Sequence, residues 1–232
     1  MCGRYVSREQ AAIEREYDVK VRNPFERVYN AAPTMSLPVI RNIAGGAGRE
    51  ALSMRWGLIP SWWSRPTPPT SCINARSEDA ATKPMWRDAV RRSRCLVPAL
   101  GWYEWRAEPD GKVPYFVHRP GGLGGLCFAG LWSEWKNPQG ESQLSFAILT
   151  RPAPGAMTVL HSRMPVVLPP AAWDDWLADW PGGQADRLAA QVAASEGNFQ
   201  YYAVSRYVNA PRNQGERCIE PANPAGVTGL AP

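Results

Sequence analysis

RCLVPALGWYEW, residues 94–105, indicates most directly that this chain has a β core. Three later stretches share its character: VPYFVHR at 113–119, LCFAGLWSEW at 126–135 and QLSFAILT at 143–150. All four are rich in aromatic and β-branched residues, and Gly and Pro separate them. Such segments are typical of strands joined by turns. The sequence therefore predicts a run of antiparallel strands in the middle of the chain.

Helix signals lie on both sides of these strands. Ser7–Gln10 has the form of a capping box and predicts a short helix that leaves residues 1–6 outside it. Residues 84–93 are also predicted to form a helix, with Pro84 at its first position. Tryptophans at helical spacing predict a helix in 171–180, with the tryptophans facing the core, and an alanine-rich helix follows in 184–195.

These elements predict one α+β domain with a curved, mostly antiparallel, barrel-like β core and flanking helices. Apolar runs between Pro24 and Arg65 are short and cut by Pro and Gly, so they predict strands joined by loops. We expect the domain to span residues 1–221. Residues 222–232 are short of large apolar side chains and are expected to form a flexible tail.

Composition sets wide limits on function. The 232 residues include 26 Lys and Arg against 21 Asp and Glu, a formal net charge of +5. This modest excess permits an acidic partner without requiring one. No stretch reaches the roughly 18 apolar residues that cross a bilayer, and the first residues lack the apolar core of a signal peptide. The sequence therefore predicts a soluble protein without a membrane partner, expected to be monomeric.

The five cysteines are scattered singly, and no C-x-x-C pair occurs among them. A disulfide framework or a zinc knuckle is therefore not expected. We predict a protein of the reducing cytoplasm that uses no metal or other cofactor. The cysteines stand at Cys2, Cys72, Cys95, Cys127 and Cys218.

Cys2 is the cysteine with the most distinctive chemistry. Excision of Met1 would place a free α-amine beside its thiol, with reference pKa values of about 7.7 to 8.0 and about 8.5. At neutral pH a minority of each group would then be nucleophilic. The amine can condense with an aldehyde to an imine, and the thiol can close on the same carbon to form a thiazolidine. Position alone favours an incidental residue on a mobile terminus, so the context of Cys2 has to support the chemical interpretation.

The context of Cys2 is a set of blocks with polar or strongly shaped residues at the ends of predicted strands. The blocks are MCGRY at 1–5, YNAAPT at 29–34, RWGLIPSWW at 55–63 with INARSE at 73–78, RCLVP at 94–98 with GWYEW at 101–105, and HSRMP at 161–165, followed by VSR at 204–206 and NQG at 213–215. In this order and spacing they closely resemble the SOS response-associated peptidase (SRAP) family, from Met1 to about Pro221.

The resemblance implies a compact β domain that binds single-stranded DNA and links its processed N-terminal cysteine covalently to an abasic site. Cys2 matches the family nucleophile, and Asn74 the asparagine that holds the amine and the sugar. Glu104 and His161 match the residues that handle protons during imine formation and ring closure. The sequence does not divide the acid and base roles between these two.

The chemistry independently calls for such groups, because opening the sugar ring and expelling water both need a proton delivered and removed. Glu104 lies among Trp102, Tyr103 and Trp105, and an apolar wall of this kind raises a carboxyl pKa. Taken singly, Glu104 also fits a solvated strand residue. His118, in an alternating strand, is predicted to be structural.

A single-stranded DNA partner requires cations for its phosphates and flat surfaces for its unstacked bases. Arg4, Arg76 and Arg163 each lie within two residues of a proposed catalytic position and are the candidate phosphate contacts. Trp62 and Trp63 are candidates to stack beside the abasic gap, although burial in the β core fits them equally well.

Three alternatives use other parts of the same chemistry. A cysteine peptidase, including one that removes its own Met1, could use Cys2, His161 and Glu104. An abasic-site lyase would stop at the imine and cleave the strand. A non-catalytic single-strand binding module would leave Cys2 inert. One departure from the family pattern is Leu100, where an aspartate commonly precedes the glycine.

Overall fold

The computed structural model describes residues 2–43, 45, 48–70 and 72–223. The described part forms one α+β domain in which an extensive sheet curls into a barrel and short helices pack around it. Its strands and helices are β1 Tyr5–Ser7, α1 Gln10–Tyr17, β2 Lys20–Val21, β3 Ser36–Asn42, β4 Arg49–Trp56, β5 Asn74–Arg76, α2 Arg87–Arg92, β6 Arg94–Glu108, β7 Gly111–His118, β8 Leu126–Lys136, β9 Ser142–Pro152, β10 Arg163–Pro165, α3 Trp173–Leu177, α4 Gln184–Ala193 and β11 Gln200–Ala203.

Five strands close the barrel in the order β9-β4-β3-β6-β8, and β8 returns to β9. Four of these pairings are antiparallel, whereas β4 and β9 run parallel. The four long strands β6 to β9 contain the four stretches that the sequence predicts as strands. The barrel-like, mostly antiparallel core is therefore confirmed.

Strand β6 crosses the whole barrel, and its first 11 residues are buried. Gly101 lets it approach β7 closely, because a Cβ built there would lie 2.3 Å from the carbonyl oxygen of Val117 and 2.4 Å from the Phe116 ring. Side chains cannot tolerate contacts of this length. The close approach allows the end of β6, which carries Glu104, to pair with both β7 and β1.

Two helix starts differ from the prediction. Helix α1 exists, but Glu9 precedes it, and Ser7 lies in β1, where its hydroxyl accepts a 2.8 Å hydrogen bond from the main-chain N–H of Val28. The predicted capping box is therefore wrong, because strand pairing engages Ser7. Helix α2 begins at Arg87 and not at Pro84.

The tryptophans of the third helical stretch are core residues, as predicted: Trp176 and Trp180 are buried, and Trp173 packs against the same cluster. His118 is also buried, and its Nδ1 lies 2.8 Å from the carbonyl oxygen of Arg119. In the chain as described, no helix is long and apolar enough to cross a membrane. Of the predicted tail 222–232, residues 224–232 lie outside the described residues.

Candidate active site at the amino terminus

Strand β1 carries the amino-terminal residues into the barrel. It pairs antiparallel with β6, with Tyr5 opposite Trp102. The N–H of Tyr103 donates to the carbonyl of Arg4 at 3.0 Å, which continues the register toward the amino terminus. Cys2 has no exposed surface, and it belongs to the apolar cluster that fills this end of the barrel. The chain therefore brings Cys2 beside the end of β6, where Glu104 lies.

Asn74 holds the main chain of the candidate nucleophile. It begins β5, which pairs parallel with β9, and its Nδ2 donates to the carbonyl oxygen of Cys2 at 2.7 Å. The Oδ1 of Asn74 is buried and accepts no hydrogen bond from the described residues. This oxygen is available to a further donor, because buried polar atoms are normally satisfied.

Glu104 is a buried carboxyl group, with 4% of its surface exposed. Burial raises its pKa from 4.5 to about 7. Trp102 packs in the apolar cluster that contains Cys2, whereas Tyr103 and Trp105 pack in a different cluster. The predicted rise in the pKa through burial is therefore confirmed, but the three aromatic residues do not form one wall. A carboxyl group with this pKa can donate and accept a proton near neutral pH.

The thiol of Cys2 differs from the expectation that rests on reference values. Burial raises its pKa well above the ordinary value, and the negative charge of Glu104 raises it further. In this environment the thiol is protonated at neutral pH, so the expected minority of thiolate is not present. The carboxyl group of Glu104 therefore lies within electrostatic range of the thiol.

His161 lies in the turn before β10. Its Nδ1 accepts a 2.9 Å hydrogen bond from the N–H of Arg163, so the neutral imidazole carries its proton on Nε2. Burial lowers its pKa, which keeps the ring neutral at pH 7. Met157 and Leu160, just before His161, pack in the same apolar cluster as Cys2.

The three candidate arginines have different surroundings. Arg163 forms a two-bond ion pair with Glu78, at 2.7 and 2.9 Å, which lowers the pKa of that carboxyl to about 2. Arg4 donates to Asn30 and to two main-chain carbonyls. Arg76 is exposed, and its side chain makes no hydrogen bond or ion pair with the described residues. Arg163 therefore has its charge compensated within the protein, and its contact with DNA stays a prediction.

Trp62 and Trp63 lie on the surface and not in the β core. Trp62 is 50% exposed, and its ring centroid is 6.0 Å from that of the half-buried Trp63. The loop is held where the indole of Trp135 donates to the carbonyl of Trp63 at 2.6 Å. The exposed rings are accessible to a stacking partner, and their contact with DNA stays a prediction.

Sequence reasoning missed one part of the site. A surface cavity of about 320 Å³ is lined by Gly3, Arg4, Trp105 and Asn209, and Gly3 and Trp105 directly follow Cys2 and Glu104 in sequence. The guanidinium of Arg4 lies 5.8 Å from the centre of the Trp105 ring. Only the later polar block at 204–215 hinted that the C-terminal end of the domain reaches this place.

No group of three or more His, Cys, Asp or Glu side chains within the described ranges could hold a metal ion. A family model, SOS response associated peptidase (SRAP), matches residues 1–211. The chain belongs to the SRAP family.

Curated relatives of this SRAP chain are similar over most of its length. Abasic site processing protein YedK of Escherichia coli is 31% identical, over 95% of this chain and 100% of its own. Abasic site processing protein YoqW of Bacillus subtilis is 31% identical, over 95% and 99%. Abasic site processing protein HMCES of Gallus gallus is 30% identical, over 83% of this chain and 66% of its own.

Solved structures share the SRAP chain's architecture. A crystal structure of a Bordetella bronchiseptica protein superposes with a TM-score of 0.75 at 27% identity, covering 88% of this chain and 100% of that one. A Bacteroides thetaiotaomicron protein superposes with a TM-score of 0.70 at 22% identity, covering 84% and 85%. The second likeness concerns the fold alone.

Proposed function

We propose that this protein processes abasic sites in single-stranded DNA by forming a covalent thiazolidine through Cys2 after Met1 is removed. The observation that carries the proposal is the hydrogen bond from Asn74 to the Cys2 carbonyl, next to a carboxyl group whose pKa is about 7. The names of the curated relatives, abasic site processing proteins, support the abasic site as the substrate. The adduct would shield it from strand cleavage.

The reaction begins with the ring-opened deoxyribose, which presents an aldehyde. The freed α-amine of Cys2 adds to the aldehyde carbon and forms a carbinolamine. The protonated Glu104 donates a proton to the departing hydroxyl group, and water leaves as the protonated imine forms. Glu104 is then a carboxylate. His161, neutral with its proton on Nε2, is suited to assist opening of the sugar ring.

In ring closure the Glu104 carboxylate acts as a base. The sulfur of Cys2 attacks the imine carbon, the C–S bond forms, and the π electrons of the imine move to nitrogen. The thiol proton passes to the Glu104 carboxylate, and the nitrogen keeps the proton it already carries, so the five-membered ring closes with both groups neutral. No oxidation occurs. The carboxylate is needed as a base because the thiol has a raised pKa.

The directions of the pKa shifts argue against the peptidase alternative. A cysteine peptidase lowers the pKa of its thiol and pairs the thiolate with a protonated imidazole. Here the pKa of Cys2 is raised and that of His161 is lowered. Both shifts disfavour an ion pair of that kind. Aldehyde capture by the amine needs no thiolate at the first step.

DNA would approach across the cationic side chains around the site. Arg4 and Arg76 have no carboxylate partner among the described residues and are the leading candidates for phosphates beside the lesion. Arg163 is a further candidate if a phosphate displaces Glu78. Trp62 and Trp63 would stack against bases farther along the strand.

A single-stranded oligonucleotide with one abasic site tests the proposal. The processed protein should give a DNA adduct that survives heating on a denaturing gel, and mass spectrometry should show loss of Met1. Cys2→Ala should abolish the adduct, whereas Cys127→Ala, the matched removal of another buried thiol, should retain it.

Other results identify the alternatives. Strand scission in place of a stable adduct indicates a lyase. Peptide cleavage without an adduct indicates a peptidase. Salt-sensitive binding that is the same for intact and abasic DNA, and for Cys2→Ala, indicates a binding module.

A further inference from the structure

Asn30 is a buried polar residue that the chemistry above does not use. Its Nδ2 donates to the carbonyls of Val208 at 3.0 Å, Ala210 at 3.0 Å and Asn213 at 3.1 Å. Its main-chain N–H donates to Oε1 of Gln214 at 3.1 Å, and its carbonyl accepts from Nε2 of Gln214 at 3.3 Å. One asparagine therefore holds the C-terminal segment 208–214 against the amino-terminal part of the barrel.

The remaining polar atom of Asn30 contacts Arg4. Nη1 of Arg4 donates to Oδ1 of Asn30 at 2.7 Å and to the Val208 carbonyl at 3.1 Å, and Nη2 donates to the Asn209 carbonyl at 3.3 Å. These acceptors are all neutral. Among the described residues no carboxylate forms an ion pair with Arg4, so the guanidinium is oriented without losing its charge.

Segment 208–214 also contacts the strand that carries Glu104. The indole N–H of Trp105 donates to Oδ1 of Asn209 at 2.8 Å. Trp105 follows Glu104 on β6, so its side chain lies on the opposite face of the strand, and with Arg4 and Asn209 it lines a surface cavity. A segment about 200 residues from Cys2 in sequence therefore contacts both Arg4 and the end of β6.

We propose that Asn30 is a positioning residue for the reaction. It holds the carbonyls of segment 208–214 where they direct the guanidinium of Arg4 into the cavity, as a cationic receptor for a DNA phosphate next to the lesion. The side-chain amide of Asn30 matters because its nitrogen donates to the carbonyls and its oxygen is a neutral acceptor for Arg4. The inference rests on the proposed function, because it names the anchor of one phosphate contact in that site.

Asn30→Asp tests this electrostatic role. The carboxylate keeps the shape but compensates Arg4 and faces carbonyl oxygens without donors. We expect the slope of log affinity against log salt for single-stranded DNA to become shallower by about 1. The rate of adduct formation at saturating abasic DNA should fall about 10- to 100-fold, since small misplacements have effects of this size.

Asn42→Ala is the matched control, because Nδ2 of Asn42 also donates to a main-chain carbonyl, that of Leu177, at 2.9 Å. Its salt slope and adduct rate should stay within about 2-fold of the parent protein. Gln214→Ala is a second test on an exposed side chain that leaves the core unchanged. It should slow adduct formation by about 3-fold, since it loses hydrogen bonds of modest net strength.

Hydrogen exchange of the protein without DNA tests the role of Asn30 independently of adduct formation. Residues 2–8 and 205–214 should exchange faster in Gln214→Ala and Asn30→Asp, with β8 and β9 unchanged. If the parent protein forms no adduct, the proposed function fails, while exchange and salt slope still decide the role of Asn30. Folded variants with the parent's exchange, salt slope and rate would overturn the inference.

Discussion

The side-chain amide of Asn74 donates a 2.7 Å hydrogen bond to the carbonyl oxygen of Cys2, 72 residues away in sequence. The bond joins β5 to the residue that carries the candidate nucleophile. Asn74 is itself held by parallel pairing with Ile148 of β9. The barrel wall therefore fixes the position of the Cys2 main chain through Asn74.

Asn74→Asp should therefore slow the reaction without much change in DNA affinity. The carboxylate cannot donate to the Cys2 carbonyl and repels it. We expect the single-turnover rate of adduct formation to fall at least about 10-fold, while the dissociation constant for undamaged single-stranded DNA changes by less than about 3-fold. Equal losses in rate and affinity would contradict a positioning role.

Glu104 should make the protein less stable as the pH rises. Its pKa in the folded state is about 7, against 4.5 for an ordinary glutamate, so folding takes up a proton between these values. The native state then binds more protons than the unfolded state. Stability falls as the pH rises from about 4.5 to 7, by about 3 kcal/mol in all.

Glu104→Gln should remove this dependence, because glutamine has the same shape and no charge to bury. Urea unfolding at pH 5 and pH 8 measures the effect. We expect the variant to exceed the parent protein in stability at pH 8 by up to about 3 kcal/mol and to differ little at the lower pH. It should also form the adduct far more slowly. A pH dependence equal to that of the parent protein would contradict the buried carboxyl.

Glu78→Gln should strengthen DNA binding by releasing Arg163 from its ion pair. The Glu78 carboxylate is half exposed, so we expect the free energy of unfolding to fall by less than about 1 kcal/mol. The affinity for single-stranded DNA at low salt should rise about 3- to 10-fold, with a salt slope steeper by about 1. Glu196→Gln, which breaks the ion pair with Arg119, makes the same charge change elsewhere. Equal effects of the two variants would show that only net charge matters.

Gly101→Ala should destabilise the barrel. The added methyl group would lie 2.3 Å from the Val117 carbonyl, so β6 and β7 must move apart. We expect a loss of about 3 kcal/mol in the free energy of unfolding, measured by urea titration. At Gly124 the nearest atom to an added Cβ is 3.6 Å away, and alanine there should change stability by less than about 0.5 kcal/mol.

Local chemistry explains which elements could be predicted. The four central strands follow from their own composition, because aromatic and aliphatic runs between Gly and Pro favour strands wherever they lie. The capping box at Ser7 failed for the converse reason. Its hydroxyl has a partner at Val28, 21 residues away, and local sequence does not report such long-range pairing.

Residue types and their order were enough to predict which groups the site contains: a second-position cysteine that becomes an aminothiol if Met1 is removed, and the asparagine, glutamate and histidine that match the family pattern. The behaviour of these groups follows from the tertiary structure. A pKa depends on burial and on neighbouring charge, which raise the pKa of Glu104 to about 7 and keep the Cys2 thiol protonated. Arg4 is oriented by residues 26 and about 205 positions away. Residue type is local, whereas distance, burial and electrostatic environment arise only when remote segments fold together.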